Sequence, residues 1–441
     1  MTGLTRRVFV ESFGCPTSRA EGEAMVGCLL EAGYEIVQEA EDADVLIYNT
    51  CAVKSPTENR MLSVLRRVPS GKRLIVAGCL PLINFRRLEA EVDFRGVVGP
   101  GLGCGIVEVV ERVCRGERIV MLARDSLPSL DLPRVPVNGV VGVVPICFGC
   151  LGACAYCCVR FARGRLRSHG VGEVVARVKR DLEEGAREIW LTSQDTACYG
   201  KDTGSNLPEL LRAMSEVEGE FLVRVGMMNP TFVLGMLDEL VDAFGDERVF
   251  QFLHVPVQSG DDEVLERMKR GYSVEDFRRI VRCFRDAFPR VTVATDVICG
   301  FPGESEEAFG RTMELVREVG PDVVNVSRFF PRPRTPAKMM EQLPHGVVKA
   351  RSRRMSGLAR RVASERNEAW VGWVGSVLVD EVGCKAGSWV GRNSAYKPVV
   401  LRTDESLLGR FVDVRVVKAR ATYLVGEVCG WIGADTHRRP P

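Results

Sequence analysis

Three patterns of apolar and polar positions follow one another along the chain. From Arg6 to about Arg124, short apolar runs alternate with stretches of helical period. Val8–Ser12, Asp44–Asn49, Leu74–Ala77 and Gly96–Val98 read as strands. Helices are expected over about Arg19–Glu31, burying Met25, Leu29 and Leu30, over Arg60–Arg67 with Pro56 in its first turn, and near Ile106–Cys114. This order predicts an α/β unit with a doubly wound parallel sheet. From Val140 to about Arg332 six strand-like runs recur: Val140–Ile146, Glu188–Thr192, Phe221–Gly226, Phe250–Val255, Val291–Ile298 and Asp322–Ser327. Helices between them carry apolar stripes, as at Val171, Val174, Val175, Val178 and Leu182, or at Phe309, Met313 and Val316. Six such units predict a partial (β/α)6 barrel with its site at the C-terminal strand ends. After a helix near Val347–Trp370 the pattern shortens again. SVLVDEV, KPVVLRT, FVDVRVVKA and YLVGEVCG alternate as in a small antiparallel β-barrel. The expected division is 1–124, a proline-bearing linker 125–139, 140–370, 371–433 and a frayed tail 434–441.

Charge changes this picture little. The 441 residues carry a net charge of +2, so a nucleic-acid surface would have to be a local patch. No run of 18 apolar residues and no signal-peptide pattern occurs, so no membrane span and a cytoplasmic location are expected. Sixteen cysteines in a reducing compartment argue for metal binding plus buried thiols rather than a disulfide framework.

The cysteine spacing carries the chemistry. Cys150, Cys154 and Cys157 follow the first strand of the second unit, with three and then two residues between them. Three thiolates suit a four-iron cluster with one iron open to a small molecule; a zinc loop, or a cluster closed by Cys147, are the alternatives. Cys15, Cys51 and Cys79 each come one to three residues after a strand end. In a parallel sheet such loops share one edge, so these three can converge on a second cluster; three buried thiols are the alternative.

The segment GCLGACAYCCVRFARGRLRS, with Tyr156 before the last cysteine, resembles the signature of the radical S-adenosylmethionine (SAM) enzymes. Together with Gly14-Cys15, NTCAVKSPTENRM and GCLP, it makes nearly the whole chain resemble the radical SAM methylthiotransferases, most closely the archaeal and eukaryotic branch acting on N6-threonylcarbamoyladenosine in tRNA. The resemblance implies a tRNA-modifying transferase that methylthiolates carbon 2 of that nucleoside next to the anticodon, giving 2-methylthio-N6-threonylcarbamoyladenosine. Sister branches imply the alternatives of another modified adenosine or a ribosomal protein side chain; a non-catalytic iron–sulfur RNA-binding protein is a third. It implies two 4Fe-4S clusters, held by Cys150, Cys154 and Cys157 and by Cys15, Cys51 and Cys79. It also implies SAM and tRNA as partners, an electron donor and a sulfur donor of unknown identity, and a C-terminal TRAM domain. Ser18, where the family often has Asn, and Leu82, where it often has Gln, are departures that spare the six cysteines.

The SAM pocket is expected at strand ends: Tyr156 in the cysteine loop, Gln194 and Asp195, Gln258 and Ser259, and Ile298 with Gly300 and Gly303 as an adenine shelf. Arg163, Arg165 and Arg167 read as phosphate contacts or a solvated loop, and His254 as a packed residue. Cys28, Cys104, Cys114, Cys198, Cys283, Cys299, Cys384 and Cys429 read as small buried residues. RNA contacts are expected from Arg392, Lys397, Arg402, Lys418 and Arg420 with Trp389, Tyr396 and Tyr423 on the small barrel. The basic run Lys349, Arg351, Arg353, Arg354, Arg360, Arg361 and Arg366 reads as a solvated helix face.

Overall fold

The computed structural model describes residues 6–122 and 127–431, so the expected tail and the first two residues of the linker lie outside the described residues. The first unit contains β1 (Arg7–Ser12), α1 (Pro16–Glu31), β2 (Glu35–Ile36), β3 (Val45–Thr50), α2 (Ser55–Leu65), β4 (Arg73–Gly78), α3 (Cys79–Glu91), β5 (Gly96–Val98), α4 (Gly105–Cys114) and β6 (Ile119–Met121). Its sheet is parallel, in the order β2-β1-β3-β4-β5-β6. All six residues of β3 are buried, as a central strand covered on both faces requires. β2 and β6, of two and three residues, are too short to register as apolar runs and escape the sequence pattern. Leu30, expected inside, is 44% exposed, because α1 buries the face of Met25 and Leu29. Cys28 and Cys104, expected as separate thiols, form a disulfide tying α1 to the start of α4. Residues 127–139 do not hang free: Val135 N–H donates to Glu23 O (3.2 Å) and Arg134 Nη1 to Val143 O (2.7 Å), strapping the connection along α1.

The second unit runs β7 (Val141–Pro145), the two-residue strands β8 (Cys147–Phe148) and β9 (Arg167–Ser168) flanking α5 (Val159–Arg163), α6 (Val171–Glu183), β10 (Glu188–Thr192), α7 (Leu207–Ser215), β11 (Leu222–Val225), α8 (Pro230–Val233), α9 (Leu237–Ala243), β12 (Phe252–His254), α10 (Asp262–Arg267), α11 (Val274–Ala287), β13 (Thr292–Cys299), α12 (Glu306–Val319), β14 (Val323–Arg328) and α13 (His345–Glu368). The parallel sheets β11-β10-β7 and β12-β13-β14 join at a Val223–Val249 bridge into one open six-stranded arc. α13 packs Val348, Met355, Leu358 and Val362 against it. Arg351, expected in solvent, is 5% exposed and bound to Glu304.

The third unit is a closed barrel of β15 (Val374–Val382), β16 (Ser388–Arg392), β17 (Pro398–Arg402), β18 (Phe411–Ala419) and β19 (Leu424–Trp431), ordered β15-β16-β17-β19-β18. β16 was not among the expected strands; Gly391 interrupts its apolar pattern. The turn between β16 and β17 plugs the N-terminal mouth of the arc. Gln251 N–H donates to Ser394 O (2.8 Å), and the Tyr396 ring lies 4.8 Å from Phe250 and 5.0 Å from Phe252. Arg224 stands over Trp190, Phe252 and Tyr396. Lys397 Nζ donates to Asp322 Oδ1 (2.8 Å) and Asn367 Oδ1 (2.7 Å), and Arg392 pairs with Asp380. Two of the residues expected to meet RNA, Tyr396 and Lys397, are thus consumed in docking the barrel, and Arg392 is paired inside it; Arg402, Lys418, Arg420 and Tyr423 remain exposed.

Candidate active site

The sheet order of the first unit reverses between β1 and β3, and the crevice outside the strand ends at such a point is where ligands bind. Cys15 immediately precedes α1, Cys51 follows β3, and Cys79 opens α3 directly after β4. The closeness shows at Gly14, whose φ is 123°. A Cβ built there would lie 2.8 Å from Cys51 Cβ and 3.3 Å from its Sγ. Ser18 Oγ stands 3.7 Å from Cys15 Sγ, so the family departure at this position touches the thiol itself. Arg163, expected to be a phosphate contact or solvated, is instead 2% exposed and donates through both Nη atoms to the Glu21 carboxylate. Burial pushes the Cys79 thiol up to about 12, while the Arg163 charge pulls it down.

The second trio sits on the loop between β8 and α5. Gly149 N–H donates to Gln194 Oε1 (2.8 Å), and Ala155 N–H to Met268 O (2.9 Å). A Cβ at Gly152 would lie 3.3 Å from Cys150 Sγ, a tight approach, and 3.8 Å from Cys154 Sγ, so the glycine leaves more room beside these sulfurs. Arg270 Nη1 donates to Cys154 Sγ (3.1 Å), and its other nitrogens to Pro256 O and the Tyr272 hydroxyl. Burial pushes Cys157 up to about 12, and a hydrogen bond with Cys198, reinforced by burial, raises Cys150. Left alone, such thiols stay protonated; a bound metal is what converts them to thiolates. All-sulfur donor sets, with glycines where a Cβ would intrude, fit iron–sulfur clusters.

The two trios face one seam. Cys158 Sγ lies 3.9 Å from Ala52 O and 3.8 Å from Val53 O, joining the residue after Cys157 to the residues after Cys51. Arg332 donates to Ala52 O (2.7 Å) and pairs with buried Glu58; Arg334 donates to Leu82 O; Lys54 Nζ donates to Ser327 Oγ (2.6 Å). The C-terminal strand ends of both sheets therefore meet.

The expected SAM residues fare differently. Gln194 braces the cysteine loop. Asp195 is buried with Oδ1 accepting from the Ala197 and Asn229 N–H groups, while Oδ2 has no partner among the described residues. Burial pushes this carboxyl up to about 6. It is an acceptor that lacks a donor, within 4.8 Å of Cys150 and Cys198. Tyr156 and Ile298 share one apolar cluster with Phe301. Gln258, at φ 67°, bridges to β13 through its backbone, and the fully buried Ser259 hydroxyl lies 3.4 Å from Thr312 of α12. A Cβ at Gly300 would come within 2.5 Å of Val348, so this glycine admits α13 rather than a ligand. Sequence reasoning passed over Arg270, Asn229 and Glu21. It also missed the cluster in which His254 Nε2 lies 3.3 Å from Asp296 Oδ1, which accepts from Asn325 Nδ2. Polar residues inside otherwise apolar strands were the available signal for that cluster. Cys384 and Cys429 are exposed rather than buried.

Comparison with known proteins agrees with this layout. The chain matches the radical SAM superfamily over residues 144–316, the TRAM domain over 369–429 and the uncharacterized protein family UPF0004 over 7–99. It is 43% identical over 426 residues to the probable threonylcarbamoyladenosine tRNA methylthiotransferase of Pyrococcus horikoshii, covering 96% of this chain and 99% of that one. The human threonylcarbamoyladenosine tRNA methylthiotransferase is 36% identical, with 96% of this chain and 74% of that one covered. The chain belongs to the threonylcarbamoyladenosine tRNA methylthiotransferase family. Members are radical SAM transferases, and the methylthiotransferases carry two 4Fe-4S clusters. The fold, though not the sequence, is shared with the radical SAM methyltransferase TsrM of Kitasatospora setae, solved with tryptophan and a SAM analogue: TM-score 0.54, 15% identity, 75% of each chain covered. Among the described residues no helix is long and apolar enough to cross a membrane.

Proposed function

We propose that this member of the family methylthiolates carbon 2 of N6-threonylcarbamoyladenosine in tRNA, next to the anticodon, in the cytoplasm. The observation that carries the reading is the pair of cysteine trios opening on one seam between two parallel sheets. Cys150, Cys154 and Cys157 would hold one 4Fe-4S cluster, with SAM at its open iron, and Cys15, Cys51 and Cys79 the other. Bound there, these groups supply the one-electron chemistry and the sulfur that an unactivated aromatic C–H requires. An electron donor and a sulfur donor from outside the chain complete the reaction.

The chain's own residues hold and shield. Gln194 and Arg270 fix the cysteine loop at Gly149 and Cys154. The unpaired Asp195 Oδ2 offers a carboxylate to the ammonium of SAM, and Tyr156 with Ile298 offers an apolar wall to its adenine. Cys158, Arg332, Arg334 and the Arg163–Glu21 pair join the units along the seam and hold the two trios in a fixed relation. The test is mass spectrometry of tRNA nucleosides from a deletion strain and from strains carrying Cys51→Ala or Cys154→Ala. Loss of the 2-methylthio nucleoside in all three, restored by the intact gene, is expected. A full level of it in the deletion strain, or a methylthiolated peptide in its place, would overturn the assignment.

A further inference from the structure

The basic helix has a division of labour that its sequence conceals. Arg351, Arg354 and Arg366 are paired with Glu304, Glu306 and Asp322. Lys349, Arg353 and Arg360 are exposed and have no carboxylate within 4.0 Å among the described residues. At about 100° per residue, these three and the intervening Ser352 and Ser356 fall on one side of α13, away from the stripe of Val348, Met355, Leu358 and Val362. The upper part of this side opens into a groove of about 400 Å³ lined by Val326, Arg328, Lys349, Ser352, Arg353 and Ser356.

The course of α13 gives the stripe a direction. Its first turn packs Val348 on Gly300, just beyond the C-terminal end of β13, at the mouth where the cysteine trios lie. Its last turn places Asn367 against Lys397 of the small barrel, at the opposite, N-terminal mouth. The TRAM barrel is therefore docked on the far side of the arc from the candidate active site. A substrate touching both has to pass along the outside. From Lys349 to Arg360 the unpaired cations cover about 16 Å of that path.

We propose that this face of α13, with Arg328 at the end of β14, is a track for the sugar–phosphate backbone of RNA, leading from the catalytic mouth to the TRAM barrel. The inference rests on the RNA substrate proposed above and adds where the RNA lies. Cations without partners, flanked by serine hydroxyls in an open groove, match phosphate oxygens and carry no base readout. Binding along the track is electrostatic and independent of sequence.

The test compares the cluster-loaded wild type with Lys349→Gln/Arg353→Gln/Arg360→Gln and with the single variant Arg328→Gln. A charge-matched control, Lys179→Gln/Arg279→Gln/Arg317→Gln, removes exposed cations from other helices. Binding of an anticodon stem–loop, and of a hairpin of scrambled sequence, is titrated by fluorescence anisotropy from 50 to 200 mM salt, with iron content and thermal unfolding as checks on the fold. The track variant should bind both RNAs at least tenfold more weakly at low salt. Its slope of log affinity against log salt should be shallower by about 2 to 3, as three lost phosphate contacts require. Arg328→Gln should shift the slope by about 1, and the control should not shift it. Equal slopes in wild type and track variant would overturn the proposal. So would weakening confined to the cognate loop, or unchanged RNA binding alongside lost binding to phosphatidylserine vesicles. Nucleoside analysis decides the modified base separately, so an error about the base leaves this result readable.

Discussion

Replacing Arg163 by Met should do more than remove a surface charge. Arg163 is 2% exposed and its partner Glu21 8%. The pair joins α5, just after the Cys157 loop, to α1, just after Cys15. With the guanidinium gone, Glu21 is a buried carboxylate without a counter-ion, which costs about 3–5 kcal/mol. Loss of the contact with the Phe148 ring, 5.5 Å away, adds about 0.5–1 kcal/mol. The Arg163 charge also favours the thiolates of Cys79 and Cys51, so the same change weakens that trio's hold on iron. Anaerobic urea unfolding and iron analysis of the wild type, Arg163→Met, Glu21→Gln and the double variant form a double-mutant cycle. The double variant should be less destabilised than the sum of the singles by about 2–4 kcal/mol, because neither charge is then stranded. Iron in Arg163→Met should fall from about eight to about four per chain, the radical SAM trio being spared. Arg163→Lys should lie between, since lysine cannot donate bidentately. Additive single effects, or eight irons retained in Arg163→Met, would refute the reasoning.

Three further outcomes follow from other parts of the molecule. Burial, reinforced by Asp380, pushes Glu188 at the docking face of the small barrel up to about 7. The native state therefore holds a proton that the unfolded chain releases above its ordinary value of 4.5, and stability falls as pH rises from about 4.5 to 7. Glu188→Gln should lose less melting temperature than the wild type between pH 5 and pH 8, and parallel curves would exclude this role. Arg270→Gln should lower the midpoint potential of the cluster at Cys154, because hydrogen bonds to cluster sulfurs favour the reduced state. A difference of about 1 kcal/mol corresponds to roughly 40 mV for one electron, readable in an EPR-monitored redox titration. Cys28→Ser should destabilise the first unit by about 4 kcal/mol, the loop entropy of a bridge across 76 residues, and reduction of the wild type should reproduce the loss.

The sequence by itself determined where most strands lie and that six cysteines fall just beyond strand ends, because period, turn residues and spacing are local properties. β1, β3, β4 and the six strands of the arc lie within a few residues of their apolar runs. What only the tertiary structure decided is which side chains meet across units. Arg163 finds Glu21 at a separation of 142 residues, Arg332 finds Ala52 at 280, and Lys397 finds Asp322 at 75. No local pattern separates a cation buried against a distant carboxylate from one left in water. The same ambiguity made Tyr396 and Lys397 look like RNA contacts, when burial against the arc commits them to docking. It also made α13 read as a uniform solvated face, when three of its arginines are paired and its other four cations have no carboxylate within 4.0 Å among the described residues. Partner choice is a property of surfaces brought together by folding, and it lies outside the reach of spacing along one chain.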